Sequence, residues 1–349
     1  MKLYFDTKQW VKNYVALAKH KEHDLSKKID EFYSIGLIDQ SICSSNLGDG
    51  IITESLAREI KKIFGLSYIK HFPGQIDSSI DYTRMLAEQD LVFVGGTNLL
   101  KSKMNESSQW KINAYSKQFL KKQFILFGVG WWQYEKPPNK YTSKLLRQLL
   151  SNNFLHSVRD SYSEKILNSI GIENVVNTSC PTLWDVDREL CKNISINKAD
   201  HVVTTLTSYN RDIICDKKII NILCENYNGV YIWLQGAEDY EYFKDLAIDN
   251  SNIILLDSSL EAYENILRTT DIEYIGSRLH GGIRALQMGK RTLILAVDNR
   301  AIEIKFDTNL NVVKRSDFES VLYFIKNPYC TEIKLPSENI KKWKGQFLE

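Results

Sequence analysis

Short apolar runs alternate with helix-like patterns along most of the chain. The run LVFV at 91–94 ends at Gly95 and Gly96, and the run ILF at 125–127 ends at Gly128. Continuous apolar runs of this length are typical of strands in a parallel sheet that is covered on both faces by helices. The alternation therefore predicts an α/β fold built on parallel sheets.

The alternation occurs in two successive halves. An amphipathic helix is expected at about 7–33. In the first half, strands are predicted at 37–42, 68–71, 90–94, 124–129, 155–158 and 174–176, and helices at 51–64, 110–120, 144–152 and 161–170. In the second half, strands are predicted at 201–206, 229–234, 253–256, 272–275 and 291–296, and helices at 217–226, 240–249, 261–269 and 282–288. A last helix is predicted at 337–347.

The length of 349 residues favours about two domains. We predict two Rossmann-like, doubly wound domains, residues 1–185 and 186–349, which face each other across a cleft, and the last helix is a candidate to cross back to the first domain. Doubly wound sheets bind ligands at the carboxyl ends of their strands. The functional residues are therefore expected in the loops that follow strands.

Composition excludes several classes of function. The chain has 45 Lys and Arg against 43 Asp and Glu, so no strong field favours nucleic acid as a partner. The six cysteines form no C-x-x-C pair, which fits a reducing compartment. No segment approaches the ~20 apolar residues of a membrane span. We expect a cytoplasmic protein without an integral membrane segment, whose oligomeric state and peripheral association with a membrane stay open.

Two glycine-containing loops follow predicted strands in the first half. The loop SSNLGDG at 44–50 opens a helix, and Asn46, Gly48 and Asp49 are candidate contacts for an anion or a sugar hydroxyl. An Asn/Asp cap on a tight turn is the alternative. Gly96 in the second loop lets backbone approach a ligand, although a simple chain turn explains it about as well.

Arg159 lies in a third loop, SVRDSYS at 157–163, where a strand runs into a helix. Its guanidinium stands where a carboxylate or phosphate of a ligand would arrive. The alternative is an ion pair of Arg159 with Asp160 that serves only to cap the helix. The residues of this loop, taken alone, favour the capping interpretation.

The fourth loop, SRLHGG at 277–282, is the most informative. Arg278 supplies a planar fork of N–H donors, and Gly281 and Gly282 let backbone N–H groups at a helix start approach an anion. His280 is a candidate acid or base, with a backbone-satisfied core histidine as the alternative. This pattern indicates a ligand that carries carboxylate or phosphate. No zincin, Walker A, nucleophile-elbow or dinucleotide motif is present, so zincin, P-loop NTPase and α/β-hydrolase functions lose their main support. The function favoured below needs no metal and no cofactor.

The four loops occur in the order Asn-x-Gly-Asp, Gly-Gly, Val-Arg-Asp-x-x-Ser and Ser-Arg-Leu-His. In this order the chain resembles the polysaccharide pyruvyl transferase family over about 37–305. It departs from that family's usual pattern at 179–184, SCPTLW, and at 297–300, VDNR. The resemblance implies two Rossmann-type domains in a GT-B-like arrangement. It also implies transfer of the enolpyruvyl group of phosphoenolpyruvate to two sugar hydroxyls, as a ketal.

The resemblance assigns roles residue by residue. Arg159, Arg278, Leu279 and His280 fall where the family holds phosphoenolpyruvate, with His280 as the general acid. Asp49, expected on the opposite domain, would orient or deprotonate the acceptor hydroxyl. The implied acceptor is a sugar of a bacterial surface polysaccharide or of its lipid-linked precursor. A glycosyltransferase with a nucleotide-sugar donor and a binding module without catalysis are the alternatives, and the acceptor sugar, the hydroxyl pair and the ketal stereochemistry stay open.

Overall fold

The computed structural model describes residues 2–18, 33–112 and 116–348. The chain divides into two compact units. The first unit comprises Met1–Ser44, Ile52–Pro181 and Pro336–Glu349, and the second comprises Ser45–Ile51 and Thr182–Leu335. The predicted division lies between 185 and 186, with 44–50 in the first domain. The structure instead groups 45–51 with the second unit, because this loop pairs with the loop around Gly236.

Parallel strands form the centre of the first unit, and its helices are α1 to α6 and a last helix described below. The strands are β1 (Ser34–Asp39), β2 (Tyr68–Pro73), β3 (Leu91–Gly95), β4 (Phe124–Phe127), β5 (His156–Val158) and β6 (Val175–Asn177). The helices are α1 (Lys2–Ala18), α2 (Gly48–Phe64, whose first turn falls in the second unit), α3 (Ile80–Ala87), α4 (Ser116–Phe119), α5 (Lys140–Leu149) and α6 (Ser161–Ser169). Strands β2-β1-β3-β4 form one parallel sheet in that order, and β5 and β6 pair in parallel.

Burial explains why these segments are strands. All residues of β3 and β4 are buried, because helices cover both faces of the sheet. Helix caps mark where the chain leaves the sheet: Asp160 accepts a hydrogen bond from Ser163 N at the start of α6. The unit's polar loops therefore lie at the strand ends, where the carboxyl termini of neighbouring parallel strands meet at one edge.

The second unit contains a six-stranded parallel sheet within the described ranges. Its strands are β7 (His201–Thr204), β8 (Gly229–Trp233), β9 (Ile253–Leu256), β10 (Ile272–Gly276), β11 (Thr292–Ala296) and β12 (Val312–Lys314), in the order β12-β11-β10-β7-β8-β9. Its helices are α7 (Arg188–Asn193), α8 (Ile213–Asn226), α9 (Asp239–Asp245), α10 (Leu260–Thr269), α11 (Leu279–Gln287), α12 (Asn299–Thr308) and α13 (Phe318–Lys326). This order reverses direction at β7 and β10, which is where open parallel sheets bind ligands.

The last helix, α14 (Ser337–Gly345), belongs to the first unit. Trp343 is fully buried and stacks on Phe127, with ring centroids 4.4 Å apart. Phe347 lies edge-on to Phe93 of the sheet. Lys344 also pairs with the buried Glu59 carboxylate of α2. These contacts complete the apolar face of the first unit's sheet from the far end of the chain.

The predicted α/β class with parallel sheets in both halves is confirmed. The first predicted helix is observed as α1 up to Ala18, and its continuation at 19–32 lies outside the described residues. The helix predicted at 110–120 is wrong in extent, because only α4 is helical there and 113–115 lie outside the described residues. In the described ranges, no helix combines the length and apolar character that crossing a bilayer requires.

Candidate functional site

The carboxyl ends of β7, β8 and β10 bring three loops together in the second unit. Thr205 follows β7, Gln235 and Gly236 follow β8, and Arg278 follows β10. Since β10 pairs directly with β7 and β7 with β8, these loops are neighbours at one edge of the sheet. The edge combines a guanidinium with a glycine loop and a helix start, as the sequence predicted for 277–282.

Arg278 is buried at this edge, with 6% of its side chain exposed. Its Nη2 lies 2.5 Å from Asp239 Oδ1, and its Nε donates to the Leu206 carbonyl at 2.7 Å. Asp239 itself is fully buried and accepts hydrogen bonds from Gly236 N at 2.7 Å and Ser208 N at 3.1 Å. A guanidinium has five N–H groups, so these two bonds fix its orientation and leave donors for a ligand.

Main-chain contacts of Arg278 hold it in place as well. The Tyr274 hydroxyl donates to the Arg278 carbonyl at 2.7 Å, and Arg278 N donates to Thr205 Oγ1 at 3.1 Å. Thr205 Oγ1 and the Tyr274 hydroxyl are 2.7 Å apart. Burial raises the pKa of Tyr274 well above its usual value, so its hydroxyl stays protonated and remains a donor. The strand end is thus tied to its neighbour β7 by side chains.

Helix α11 starts directly behind Arg278. Leu279 and His280 lie in its first turn and are both buried, with 8% and 7% exposed. Gly281 and Gly282 follow, and a Cβ at Gly282 would clash with Ile294 at 2.6 Å. The two glycines thus allow close packing of α11 on the sheet, in addition to the ligand role that the sequence predicts for them. His280 lies two residues from Arg278 at the amino-terminal end of the helix, where positive partial charge favours an anion.

The Asn46 loop joins the second unit through the loop after β8. Asn46 forms an antiparallel bridge with Gly236, and its Oδ1 accepts a hydrogen bond from Gln235 Nε2 at 2.7 Å. A Cβ at Gly48 would lie 2.6 Å from Gln235 Nε2, so a larger residue here would displace the Gln235 side chain. Asp49, in the first turn of α2, lies 3.4 Å from Asn46 Nδ2. Asn46, Gly48 and Asp49 thus belong to the same unit as Arg278.

Two further side chains at this edge were missed by the sequence analysis. The guanidinium of Arg278 lies 5.1 Å from the ring centroid of Tyr209, and that of Arg300 lies 5.5 Å from it. Arg300 also pairs with Asp298 Oδ2 at 2.5 Å. Tyr209 is 55% exposed. A second cation and an exposed aromatic ring therefore lie beside Arg278.

Arg159 and Gly96 lie in the first unit. Arg159 is 2% exposed, its Nη2 donates to Asn98 Oδ1, and its Nε lies 3.2 Å from Asp160 Oδ2. Asp160 is also the N-cap of α6, so the capping interpretation accounts for the contacts of Arg159 in the structure. A Cβ at Gly96 would lie 2.5 Å from the Gly128 carbonyl, so this glycine serves close packing between neighbouring loops.

Several functional candidates were invisible to the sequence analysis for a common reason. Asp239, Gln235, Asn98 and Tyr209 gain their significance only from partners far away in sequence. A detectable signal existed for two of them, because Gln235 lies in a glycine-containing loop directly after the β8 strand pattern and Asp239 begins the helix that follows it. Within the described ranges, no three His, Cys, Asp or Glu side chains cluster as a metal site would require.

Parallel sheets with helices between their strands, and a buried arginine, glycine loops and a helix start at one carboxyl edge, define an α/β protein with polar residues at the strand ends. A model of the polysaccharide pyruvyl transferase family matches residues 46–299, more than half of the chain. The chain therefore belongs to the polysaccharide pyruvyl transferase family.

Solved structures that it resembles include one titled S. aureus MnaA-UDP co-structure, at 12% sequence identity and a TM-score of 0.45. That alignment covers 84% of this chain and 87% of the other. No curated protein matches the sequence.

Proposed function

We propose that the protein transfers the enolpyruvyl group of phosphoenolpyruvate onto two hydroxyls of one sugar, forming a pyruvate ketal and releasing phosphate. The proposed acceptor is a sugar of a bacterial surface polysaccharide or of its lipid-linked precursor. The observation that carries the proposal is the segment Ser277 to His280. It places a buried, oriented guanidinium and an imidazole at the start of α11, within the region that the family matches.

The donor's chemistry suits this edge. Phosphoenolpyruvate carries a carboxylate and a phosphate, and both accept paired hydrogen bonds from a guanidinium. Arg278 is proposed to bind one of these groups, with the backbone of Leu279, Gly281 and Gly282 at the helix start. Arg159 is also proposed to bind phosphoenolpyruvate, together with the loop that contains Gly96. The basis for this assignment is the Val-Arg-Asp motif. No cofactor is needed besides the donor substrate.

The proposed reaction begins with a proton delivered by His280 to the methylene carbon of the enol, which becomes a methyl group. The electrons of the double bond form the new C–H bond, so the neighbouring carbon becomes an oxocarbenium-like centre. One acceptor hydroxyl attacks that carbon and loses its proton, and phosphate then leaves with its bond electrons. The second hydroxyl attacks the same carbon and also loses its proton, which completes the ketal. Asp49 and Asn46 are proposed to orient an acceptor hydroxyl.

Ligand-induced thermal stabilisation tests the donor, since a ligand that binds only the native state raises the apparent stability. We expect phosphoenolpyruvate to raise the Tm and nucleotide sugars to leave it unchanged. Arg278→Lys should lose most of this response. Arg291→Lys is the matched control, because Arg291 is equally buried and paired with Glu273 but lies before β11, at the opposite sheet edge. Stabilisation by nucleotide sugars alone would contradict the proposal and would support a glycosyltransferase.

Catalysis is tested separately from binding. His280→Gln should keep the Tm shift with phosphoenolpyruvate but release phosphate from it about 100-fold more slowly, the usual contribution of a general acid. His201→Gln is the control, because His201 lies at the amino end of β7 in the same unit. An unchanged rate in His280→Gln would show that another group delivers the proton.

A further inference from the structure

A carboxylate and an imidazole form a close pair in the first unit. His71 Nδ1 lies 2.7 Å from Asp39 Oδ2. Asp39 is the last residue of β1, and His71 lies two residues before the end of β2, the neighbouring edge strand. The pair therefore occupies the carboxyl edge of the first unit's sheet, the same edge at which the loop of Gly96 follows β3.

The carboxylate of this pair is rigidly held. Asp39 is 4% exposed, and its Oδ1 accepts hydrogen bonds from Thr53 Oγ1 at 2.6 Å and from Ser41 N and Oγ, both at 2.7 Å. Burial acts to raise the pKa of Asp39, but the hydrogen bonds from His71, Thr53 and Ser41 outweigh it and lower that pKa. Asp39 is thus a fixed negative charge with both oxygens engaged.

The imidazole faces outward. The His71 side chain is 38% exposed, although its Nδ1 is engaged by Asp39. Asp39 is a charged acceptor, so it favours the imidazole tautomer that carries its proton on Nδ1. The lone pair then lies on Nε2, which has no hydrogen-bond partner among the described residues. From α2, the neutral Thr53 side chain donates a hydrogen bond to Asp39.

An exposed ring nitrogen on a carboxylate-oriented imidazole is the arrangement that removes protons from hydroxyl groups. A metal site would need further ligands, and none cluster here within the described ranges. A purely structural ion pair would not require the outward ring nitrogen to be left available. The arrangement therefore fits a substrate that presents an alcohol.

We infer that His71 is a general base for an acceptor hydroxyl and that Asp39 is its positioning residue. This inference rests on the proposed function, whose ketal requires two hydroxyls to lose their protons. His71 Nε2 takes the proton as the hydroxyl oxygen bonds to the electrophilic carbon of the donor. The imidazolium then passes that proton to the released phosphate or to water, which restores the neutral ring.

The tautomer of His71 gives a readout that needs no acceptor. Nitrogen NMR of the imidazoles should show His71 protonated at Nδ1 and bare at Nε2. The signal should vanish in His71→Gln and shift toward the Nε2-protonated form in Asp39→Ala. A wild-type His71 protonated at Nε2 would overturn the inference, because that ring could not accept a proton there.

Turnover gives the second readout, with a mixture of p-nitrophenyl glycosides as the acceptor probe and phosphate release from phosphoenolpyruvate as the signal. His71→Gln should lower kcat about 100-fold or more while leaving the KM for phosphoenolpyruvate and its Tm shift unchanged. Asp39→Asn should lower kcat with the same unchanged KM. Added imidazole should restore part of the rate in His71→Ala, since the site is open to solvent.

Failure of the proposed function and failure of the general-base inference give different results. Phosphoenolpyruvate without effect on the wild-type Tm would contradict the proposed function, and the tautomer measurement would still decide the state of His71. A normal donor response with His71→Gln turning over within a few-fold of wild type would overturn the general base alone. His201→Gln, a histidine of the other unit, should change neither readout.

Discussion

Asp239 Oδ1 lies 2.5 Å from Arg278 Nη2, and both side chains are almost fully buried. The carboxylate compensates the positive charge of the guanidinium in its buried position. It also fixes the direction in which the remaining N–H groups point. Arg278, which we propose binds the donor, and its buried partner therefore depend on each other for stability as well as for geometry.

Arg278→Ala should destabilise the second unit by about 3–5 kcal/mol, because the buried Asp239 carboxylate loses its counter-charge. Urea unfolding measures this change. Arg268→Ala is the control: Arg268 pairs with Glu264 but is 60% exposed, so its loss should cost less than about 1 kcal/mol. The double variant Arg278→Ala with Asp239→Ala should recover part of the loss. Equal costs for Arg278→Ala and Arg268→Ala would contradict the interpretation.

Gly48→Ala should disturb the Asn46 loop, because its Cβ would meet Gln235 Nε2 at 2.6 Å and Asn46 Oδ1 at 3.2 Å. The expected loss is about 1–3 kcal/mol in urea unfolding, typical of forced overpacking. Gly50→Ala in the same helical turn is the matched control. A Cβ there meets no described atom within 4 Å, so this variant should be neutral or gain up to about 1 kcal/mol of helix propensity.

Tyr274→Phe should loosen the main chain at Arg278, because it removes the hydroxyl that donates to the Arg278 carbonyl and contacts Thr205 Oγ1. We expect a loss of about 1–3 kcal/mol and a smaller Tm shift with phosphoenolpyruvate. Tyr323→Phe, at a residue that is 67% exposed, should change neither quantity. A full donor response in Tyr274→Phe would show that this network does not position Arg278.

The stability of the first unit should depend on pH through His156. Burial lowers the pKa of His156 from 6.5 to about 4, and its ring accepts from Leu126 N while bonded to the Ser151 carbonyl. The unfolded chain binds the proton on His156 more tightly than the folded chain does. The contribution of His156 to the stability of the folded state is therefore fully present above pH ~6.5 and is lost as the pH falls toward 4. The loss amounts to about 3 kcal/mol.

Urea unfolding at pH 7 and at pH 4.5 checks this prediction. His156→Gln is less stable at pH 7 but should lose less stability on acidification than the wild type. His201→Gln should follow the wild-type dependence. Parallel losses in wild type and His156→Gln would show that other groups govern the acid sensitivity.

The alternation of strands and helices was predictable because its signal is local. The strand predicted at 253–256 coincides with β9, and most other strands differ from their predicted bounds by one to three residues. Helix α3 was missed, although Ser79 caps it, since its eight residues carry only a short periodic pattern. Strand and helix assignment thus follows from residue types that repeat over a few positions.

The site could be predicted only in part. The motifs predict Arg278 and His280 as site residues, because a guanidinium, an imidazole and two glycines stand next to each other in sequence. Asp239 lies 39 positions before Arg278 and is recognisable as its partner only after β8 and β10 are placed in one sheet. Likewise, Asp39 and His71 are 32 positions apart and meet through the pairing of β1 with β2. No local pattern encodes such pairs.

Helix α14 affects the order in which the two units can finish folding during synthesis. Its Trp343 fills a place against Phe93 and Phe127 of the first unit, but the ribosome makes it after all of Thr182–Leu335. A nascent chain that stops before residue 336 therefore leaves those rings exposed, however well the second unit has folded. The aromatic face of the first unit's sheet is therefore covered only after synthesis has passed residue 343, so folding of this unit is completed last.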